Sequence, residues 1–398
     1  MVPWFIGALI LYAVSGRLYR EGGRTVPEIL GRRYGSPAIQ VLSGLAIVAC
    51  YIFYLVIQIK GFGIAAASLL NIDYTVAVFL VYLFILYSTF GGFYSVVKTD
   101  VLNLILLTVS MGVIYYVIIH RAGGTFLFTA AMVRESSAAA GIPVGHGGGT
   151  VLEAAPIYIS SFFGWGMGLA ANPQYMVRVM SAKSAAAARR MLVYSLIFLA
   201  AFYFAMTQIG MGLKALFPGI VGAVENDDVL VLAINQLLYS PLSGFFLISI
   251  IGACISTANS QLLLIGSSMS YDVIYQLAGR KMDEGRVLML AKLFIFVGGT
   301  VSLLFSLNPP ADTLSYGGDI WGVFAVLFTP LIYGGLLFKR GTRLGALSSV
   351  AAGALGGALF YPLHMEIYWA FPAVICSTSA FVLVSLWDRR RGGGSHEA

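Results

Sequence analysis

Residues 241–270 read PLSGFFLISIIGACISTANSQLLLIGSSMS, an apolar stretch without one charged side chain. About 20 residues of helix cross a hydrocarbon core roughly 30 Å thick, so this stretch is long enough to span a membrane. Its middle, however, is rich in hydroxyl and amide groups, which are costly in lipid. The stretch therefore predicts a membrane helix that carries a functional polar site.

The whole chain shares this apolar character. Its 398 residues are 59% hydrophobic and only 10% charged, with a mean hydropathy of +0.87, whereas soluble domains carry about 25% charged residues. The sequence contains eleven such apolar runs, this one included: 2–19, 38–68, 74–95, 101–120, 154–178, 189–212, 241–270, 287–306, 318–338, 344–362 and 367–387. The sequence predicts an all-α polytopic membrane protein with about eleven transmembrane helices.

The charges indicate which side of the membrane each connection faces. Most of the 24 lysines and arginines fall in the odd-numbered connections and in the tail, beginning with Arg17, Arg20, Arg24, Arg32 and Arg33. By the positive-inside rule these connections are cytoplasmic, which places the N-terminus outside and the C-terminus inside a cell (inner) membrane. The net charge of +7 thus reflects topology in a lipid bilayer, and no nucleic-acid partner is expected.

The polar segment of the seventh run, 253–261, reads ACISTANSQ. Serine and threonine hydroxyls in membranes often bond across helices or to their own backbone, which would explain one or two such residues. So many oxygens, with Ser256 and Thr257 adjacent, favour ligands for a hard cation, which prefers several oxygens.

Asp100 lies at the start of the fourth run, after Lys98 and Thr99. An aspartate in this place is typical of an N-cap that bonds the free amides of a first helical turn. A carboxylate at the inner end of a helix is also suited to help a cation leave toward the cytoplasm.

Two further runs carry groups that suggest a solute site. In the fifth, 164–173 reads GWGMGLAANP, which will not hold a regular helix. Tight packing is one explanation for the glycines; the other is a broken helix lining a cavity, which Trp165 would wall. In the second run Tyr54 and Gln58 share one face, whereas Lys60 lies elsewhere and is expected to pair or to extend toward the surface.

Several motifs, in order along the chain, resemble those of the sodium:solute symporter family, which includes proline, pantothenate and sugar symporters. They are GRTVPEILGRRY at 23–34, YSTFGGFYS at 87–95 running on to Thr99-Asp100, WGMG at 165–168 with NPQ at 172–174 and Arg178, Ser256-Thr257 with Gln261 and Asp272, and Trp321-Gly322 with Phe324 and Pro330. The resemblance implies a leucine-transporter-like bundle of inverted repeats with sites at their interface.

The resemblance also implies particular site residues. A sodium ion (Na+, the coupling ion) would bind the carbonyl of Ala253 and the hydroxyls of Ser256 and Thr257. A second sodium position would use Asp100, Ser256, Asn259 and Ser260, although Asn259 replaces a hydroxyl. The implied solute positions are Tyr54, Trp165, Leu169 and Pro173, and Leu169 stands where proline transporters use a tyrosine, which disfavours proline itself.

The implied organisation is one transmembrane transporter domain over 1–398: a partial first repeat at 1–120, a second repeat at 154–338, two extra helices at 344–387 and a cytoplasmic tail at 388–398. Family members carry two helices before the run that begins here at Val2, so the resemblance predicts an N-terminally truncated form. The second of those helices is unwound in the family and supplies backbone carbonyls to sodium.

The function predicted from these features is sodium-coupled symport of a small organic solute, such as an amino acid, vitamin, carboxylate or sugar, by alternating access. The alternative is an inactive truncated fragment or a membrane sensor module that does not transport. An intramembrane enzyme is disfavoured, because the sequence shows neither HExxH nor GxSxG and no second acid pairs with Asp100 in a span.

Overall fold

The computed structural model describes residues 2–139, 156, 159–220, 227–237, 242–309, 313–363, 365 and 367–391. Within these ranges the chain is helical and contains no strand, which agrees with the predicted all-α class. The helices are α1 Val2–Glu21, α2 Val26–Arg33, α3 Pro37–Leu70, α4 Tyr74–Thr89, α5 Gly92–Arg121, α6 Ala130–Ala139, α7 Met167–Ala171, α8 Pro173–Met180, α9 Ala185–Leu216, α10 Val229–Leu232, α11 Ser243–Ser267, α12 Glu284–Ser306, α13 Thr313–Leu337, α14 Arg343–Phe360 and α15 Ala370–Arg390.

Nine helices of the described ranges are long and apolar enough to cross a membrane. They are α1, α3, α5, α9, α11, α12, α13, α14 and α15, and each overlaps one predicted run. The two remaining runs form a shorter helix, α4, and a broken element around α7 and α8. The multi-pass membrane architecture is thus established, while the count of eleven spans stays a prediction.

The third predicted run is shorter than expected, and the fourth is longer. Helix α4 ends at Thr89 because the chain turns at Gly91-Gly92, where Gly92 adopts a left-handed φ of 76° that glycine tolerates best. Helix α5 then begins at Gly92, so Asp100 lies more than two turns inside it. The expectation that Asp100 caps a helix N-terminus is therefore wrong, and its carboxylate is available for tertiary contacts.

Helix α3 lies at the centre of the bundle and packs against α4, α11, α12 and α13. Tyr51 and Leu55 on its inner face are completely buried. Small residues allow the close approach of its neighbours: a Cβ on Gly63 would lie 2.7 Å from a methyl of Val78 in α4. By contrast, α4 and α5 expose many large apolar side chains, as expected of surfaces that face lipid.

The short connecting helix α2 is tied to the end of α11 through one buried carboxyl group. Thr25, the N-cap of α2, donates its hydroxyl to Asp272 Oδ1 over 2.5 Å, and Gln40 Nε2 of α3 donates to the same oxygen over 3.1 Å. Asp272 lies in a π-helical continuation of α11, Ser268–Tyr275. The carboxyl thus joins three elements at one end of the bundle.

The predicted division into two repeats and two extra helices stays a prediction. Its boundary at residue 154 lies outside the described residues, as does the tail beyond residue 391. Helices α14 and α15, the predicted extra pair, pack closely against each other and against α13.

Candidate functional site: an oxygen cluster on α11 and a ring cluster at a broken helix

The polar segment of α11 brings three oxygen atoms together. Ser256 Oγ and Thr257 Oγ1 donate to the carbonyl oxygen of Ala253 over 3.0 and 3.2 Å. One turn further along, Ser260 Oγ donates to Ser256 O over 3.2 Å. All four residues are accessible to some degree, whereas Ala258 on the other side of the helix is fully buried. The cluster of Ala253, Ser256 and Thr257 is hereafter the oxygen cluster.

A fixed positive charge lies beside this cluster. Arg178 at the end of α8 places Nη2 3.1 Å from Asp100 Oδ2 and 3.0 Å from Ser260 Oγ. Two of the four residues predicted for a second sodium position are therefore joined by a guanidinium group. In the described part of the chain Asp100 Oδ1 is buried without a hydrogen-bond partner, so this carboxylate retains one oxygen for a further donor or cation.

Asn259 is oriented differently from the rest of the predicted second position. Its Oδ1 accepts hydrogen bonds from Ser88 Oγ over 2.7 Å and Thr89 Oγ1 over 2.9 Å, both at the end of α4. The side chain is completely buried. The Asn259 amide thus joins α11 to α4. Asn259, which stands where the family has a hydroxyl residue, is therefore engaged in hydrogen bonds between two helices.

The fifth predicted run is interrupted as its glycines and proline suggest. A π-helical turn, Phe162–Gly166, leads into α7, and the helix stops at Asn172, whose ψ of 121° is extended. Asn172 Oδ1 then caps α8 by accepting from Gln174 N over 3.0 Å. Tyr51 of α3 supports the break, since its hydroxyl donates to Asn172 Oδ1 over 2.5 Å and accepts from Gln174 N over 3.0 Å.

Glycines let α1 and α13 approach this interrupted element. A Cβ on Gly7 of α1 would lie 2.1 Å from Gly166 O, and a Cβ on Gly168 would lie 2.7 Å from Trp321 O of α13. Only glycine permits these contacts between backbones. The break is therefore held between two membrane helices.

Aromatic rings surround the break. This ring cluster consists of Trp4, Tyr54, Trp165, Tyr175, Tyr203 and Trp321. Trp321 is at its centre, with ring centroids 4.5 Å from Trp4, 5.7 Å from Trp165 and 6.0 Å from Tyr54. Beside the cluster, the gap lined by Trp4, Phe5, Leu196, Leu199 and Tyr203 is too narrow to hold a water molecule.

The predicted solute residues are largely brought together here. Tyr54 and Trp165 belong to the ring cluster, and Leu169 is buried against Trp321 and Ala8. Pro173 is the first residue of α8, immediately after the break. Gln58 lies one turn from Tyr54 on α3 and is half-buried. Lys60, by contrast, pairs with Asp227 at 2.7 Å, which fulfils the expectation that it finds a partner away from this face.

Five residues of the site were not predicted from the sequence: Trp4, Tyr51, Tyr175, Tyr203 and Trp321. Trp321 was noted only as part of a motif, and Trp4 stands in an apolar run where tryptophan is ordinary. Tyr51 precedes the Tyr54–Gln58 face by less than one turn. Its hydroxyl is isolated in an apolar run, which is the one signal that could have revealed it.

Comparison with known proteins identifies the family and the fold of the chain. The family model of the sodium:solute symporter family matches residues 3–353. A sodium/proline symporter of Staphylococcus aureus is 28% identical over 366 residues, which cover 88% of this chain and 69% of the relative. The same symporter from S. aureus strain JH9 matches with the same identity and coverage.

Among solved structures, a Na+-coupled sialic acid symporter in its substrate-bound outward-open state superposes with a TM-score of 0.76 at 19% identity, covering 96% of this chain and 84% of that one. This likeness confirms the predicted leucine-transporter-like helical bundle. Sodium-coupled symport of a small solute across a membrane, with Na+ as coupling ion and no enzymatic turnover, follows from the family match. The chain belongs to the sodium:solute symporter family.

Proposed function

We propose that the coupling sodium ion binds the oxygen cluster of α11 and that the solute binds where the ring cluster surrounds the break at Asn172. The observation that carries this proposal is the convergence of the Ala253 carbonyl with the Ser256 and Thr257 hydroxyls. Oxygen ligands suit a hard cation. Helix α3 links the two places, because it contributes Tyr54 to the ring cluster and packs Gly61 against Cys254 of α11.

The distribution of charges supports one orientation of the chain in the membrane. We place the N-terminus outside and the C-terminus in the cytoplasm of a cell membrane, since basic residues concentrate in the connections on that side. Each sodium ion that moves inward releases roughly 2.3 kcal/mol per 100 mV of membrane potential. This energy drives solute uptake when the rings separate on alternate sides.

The position of Arg178 favours one sodium site over two. A guanidinium group already contacts Asp100 and Ser260, so a second sodium beside these residues would face its positive charge at close range. We propose that Asp100 and Arg178 act as a charged pair next to the path of the ion from the oxygen cluster to the cytoplasm.

The first test compares ions directly. The purified chain is melted in sodium and in potassium at equal ionic strength, because an ion that binds only the folded state stabilises it, by about 2.7 kcal/mol at one hundred times its Kd. The Ser256→Ala variant should lose the sodium-specific rise. Ser267→Ala is the matched control, since this half-buried serine of the same helix also donates to its own backbone, to Leu264 O over 3.3 Å. Equal melting in both ions would oppose the proposal and favour a non-transporting product.

The second test is transport. Proteoliposomes with an imposed inward sodium gradient are given radiolabelled amino acids, vitamins, sugars and carboxylates. Proline and sialic acid are included because similar proteins are named as symporters of these two solutes. Accumulation should require sodium and should fall in Ser256→Ala but not in Ser267→Ala. Uptake that proceeds equally in sodium-free buffer would contradict sodium coupling.

A further inference from the structure

A basic cavity lies where α1 and α9 meet at one end of the bundle. It has a volume of about 520 Å³ and is lined by Gly16, Arg20, Ala185, Ala186, Arg189 and Arg190. This volume falls within the roughly 300–1,000 Å³ typical of small-ligand sites. The lining combines the last turns of α1 with the first turns of α9, so the cavity opens where both helices leave the apolar part of the membrane.

The charges in this cavity are unbalanced. Among the residues that the structure describes, three arginines line it and no acidic residue does. Four ion pairs form among the described residues, and none of them involves Arg20, Arg189 or Arg190. Like charges held together repel one another unless an anion lies between them.

The arginines are also positioned by the helices. Arg20 donates Nε to Gly16 O over 3.1 Å, and its side chain lines the cavity. Arg189 reaches from α9 to α1, and its Nη2 lies 2.8 Å from the place where a Cβ on Gly16 would stand. A Cβ at this position would displace the end of the arginine side chain, whereas glycine leaves the guanidinium group in place. Two guanidinium groups from different helices thus converge on one opening.

We propose that this cavity binds the phosphate of an anionic phospholipid headgroup. Arginine is suited to phosphate because its planar guanidinium donates two parallel hydrogen bonds. The lipid source, as opposed to a soluble phosphate, is favoured by the position of the cavity at the ends of two membrane helices on the side with excess arginine. A headgroup bound there bridges α1 and α9, and α1 in turn contacts the broken helix through Gly7 and Gly166.

The test measures the melting temperature of the detergent-purified chain in sodium-free potassium buffer, so that its outcome is independent of the proposed cation site. Phosphatidylglycerol, phosphatidylcholine and inorganic phosphate are added separately. We expect phosphatidylglycerol alone to raise the melting temperature. Each arginine removed should weaken the apparent affinity about fivefold, the equivalent of roughly 1 kcal/mol for one basic residue at an anionic membrane surface.

The variants are Arg20→Gln and Arg189→Gln, with Arg17→Gln as the matched control because Arg17 is on the same helix but does not line the cavity. If Arg189→Gln is too unstable to purify, Arg189→Lys takes its place. This variant keeps the charge and should retain partial lipid binding. Native mass spectrometry then counts retained lipid molecules directly. An equal response of all variants to phosphatidylglycerol would overturn the proposal, and so would stabilisation by inorganic phosphate alone, which would assign the cavity to a soluble anion.

Discussion

The contact between Gly168 and α13 offers the sharpest test of how the broken helix is held. A Cβ added at Gly168 would lie 2.7 Å from Trp321 O and 2.9 Å from Trp321 Cβ. Carbon atoms do not approach backbone atoms so closely, so Gly168→Ala must push the two helices apart. Overpacking of this kind costs about 1–3 kcal/mol, whereas alanine recovers up to about 1 kcal/mol of helix propensity.

The nearest clashing atom is a backbone oxygen, which cannot rotate away, so we take the upper part of the overpacking cost, about 2–3 kcal/mol. After about 1 kcal/mol of helix propensity is subtracted, Gly168→Ala should lower the unfolding free energy by about 1–2 kcal/mol. Gly210→Ala is the matched control: Gly210 is also inside a membrane helix, α9, and a Cβ there would meet no atom within 4 Å. This control should be neutral or slightly stabilising. Because the displaced backbone belongs to Trp321, the centre of the ring cluster, Gly168→Ala should also reduce solute uptake while Gly210→Ala should not.

Thermal unfolding of both variants can be followed with a thiol-reactive fluorophore. Cys50 is buried in α3 and reacts only after unfolding, whereas Cys376 is exposed and contributes a constant background. Melting of Gly168→Ala several degrees below Gly210→Ala would agree with the packing argument. Identical melting temperatures, or a higher one for Gly168→Ala, would refute it, because the break would then have room for a side chain.

Three further predictions concern buried polar groups. The Lys60–Asp227 pair, with side chains only 9% and 17% exposed, should show coupling in a double-mutant cycle: Lys60→Met and Asp227→Asn each cost up to about 3–5 kcal/mol, and the double variant costs less than their sum. Burial opposes ionisation of Asp227, but hydrogen bonds from Lys60 and Thr313 outweigh it and lower the pKa of that carboxyl group. The ionised Asp227 carboxylate should therefore contribute its full stabilisation above the unfolded-state pKa of about 3.9 and lose it at lower pH. The melting temperatures of wild type and Asp227→Asn should converge in acid, and a difference that stays constant with pH would contradict this prediction. Tyr51→Phe should lower the unfolding free energy by about 1–3 kcal/mol, measured by denaturation, since it removes a buried hydroxyl that bonds Asn172; an unchanged stability would show that the break needs no support from α3.

The membrane helices could be predicted from sequence because length and apolarity alone identify them. The break in the fifth run was equally visible, since three alternating glycines and an Asn-Pro pair cannot continue a helix. Helix ends were less predictable, because a single turn between two apolar runs hardly changes the hydropathy. The turn at Gly91-Gly92 ends α4 earlier than predicted and places Asp100 in the interior of α5.

The partners of the site residues could not be predicted in the same way. Arg178 meets Asp100 across 78 positions of sequence, and the pairing depends on how α5 and α8 pack. The ring cluster likewise collects tryptophans from three separate elements, and no local pattern distinguishes them from the tryptophans that merely face lipid. Resemblance to a family located Tyr54 and Trp165, while Trp4 became apparent only in three dimensions.

The ring cluster also allows the intrinsic tryptophan fluorescence of the protein to report on the proposed solute site. The chain contains five tryptophans, and three of them, Trp4, Trp165 and Trp321, touch one another around the broken helix. The other two are fixed elsewhere, Trp369 by its indole hydrogen bond to Asp319 and Trp387 beneath the Arg391 guanidinium group. Three of the five tryptophans therefore lie where the solute is proposed to bind. Separation of the rings would change the polarity around three indoles at once, so a label-free titration follows the site against a nearly constant background.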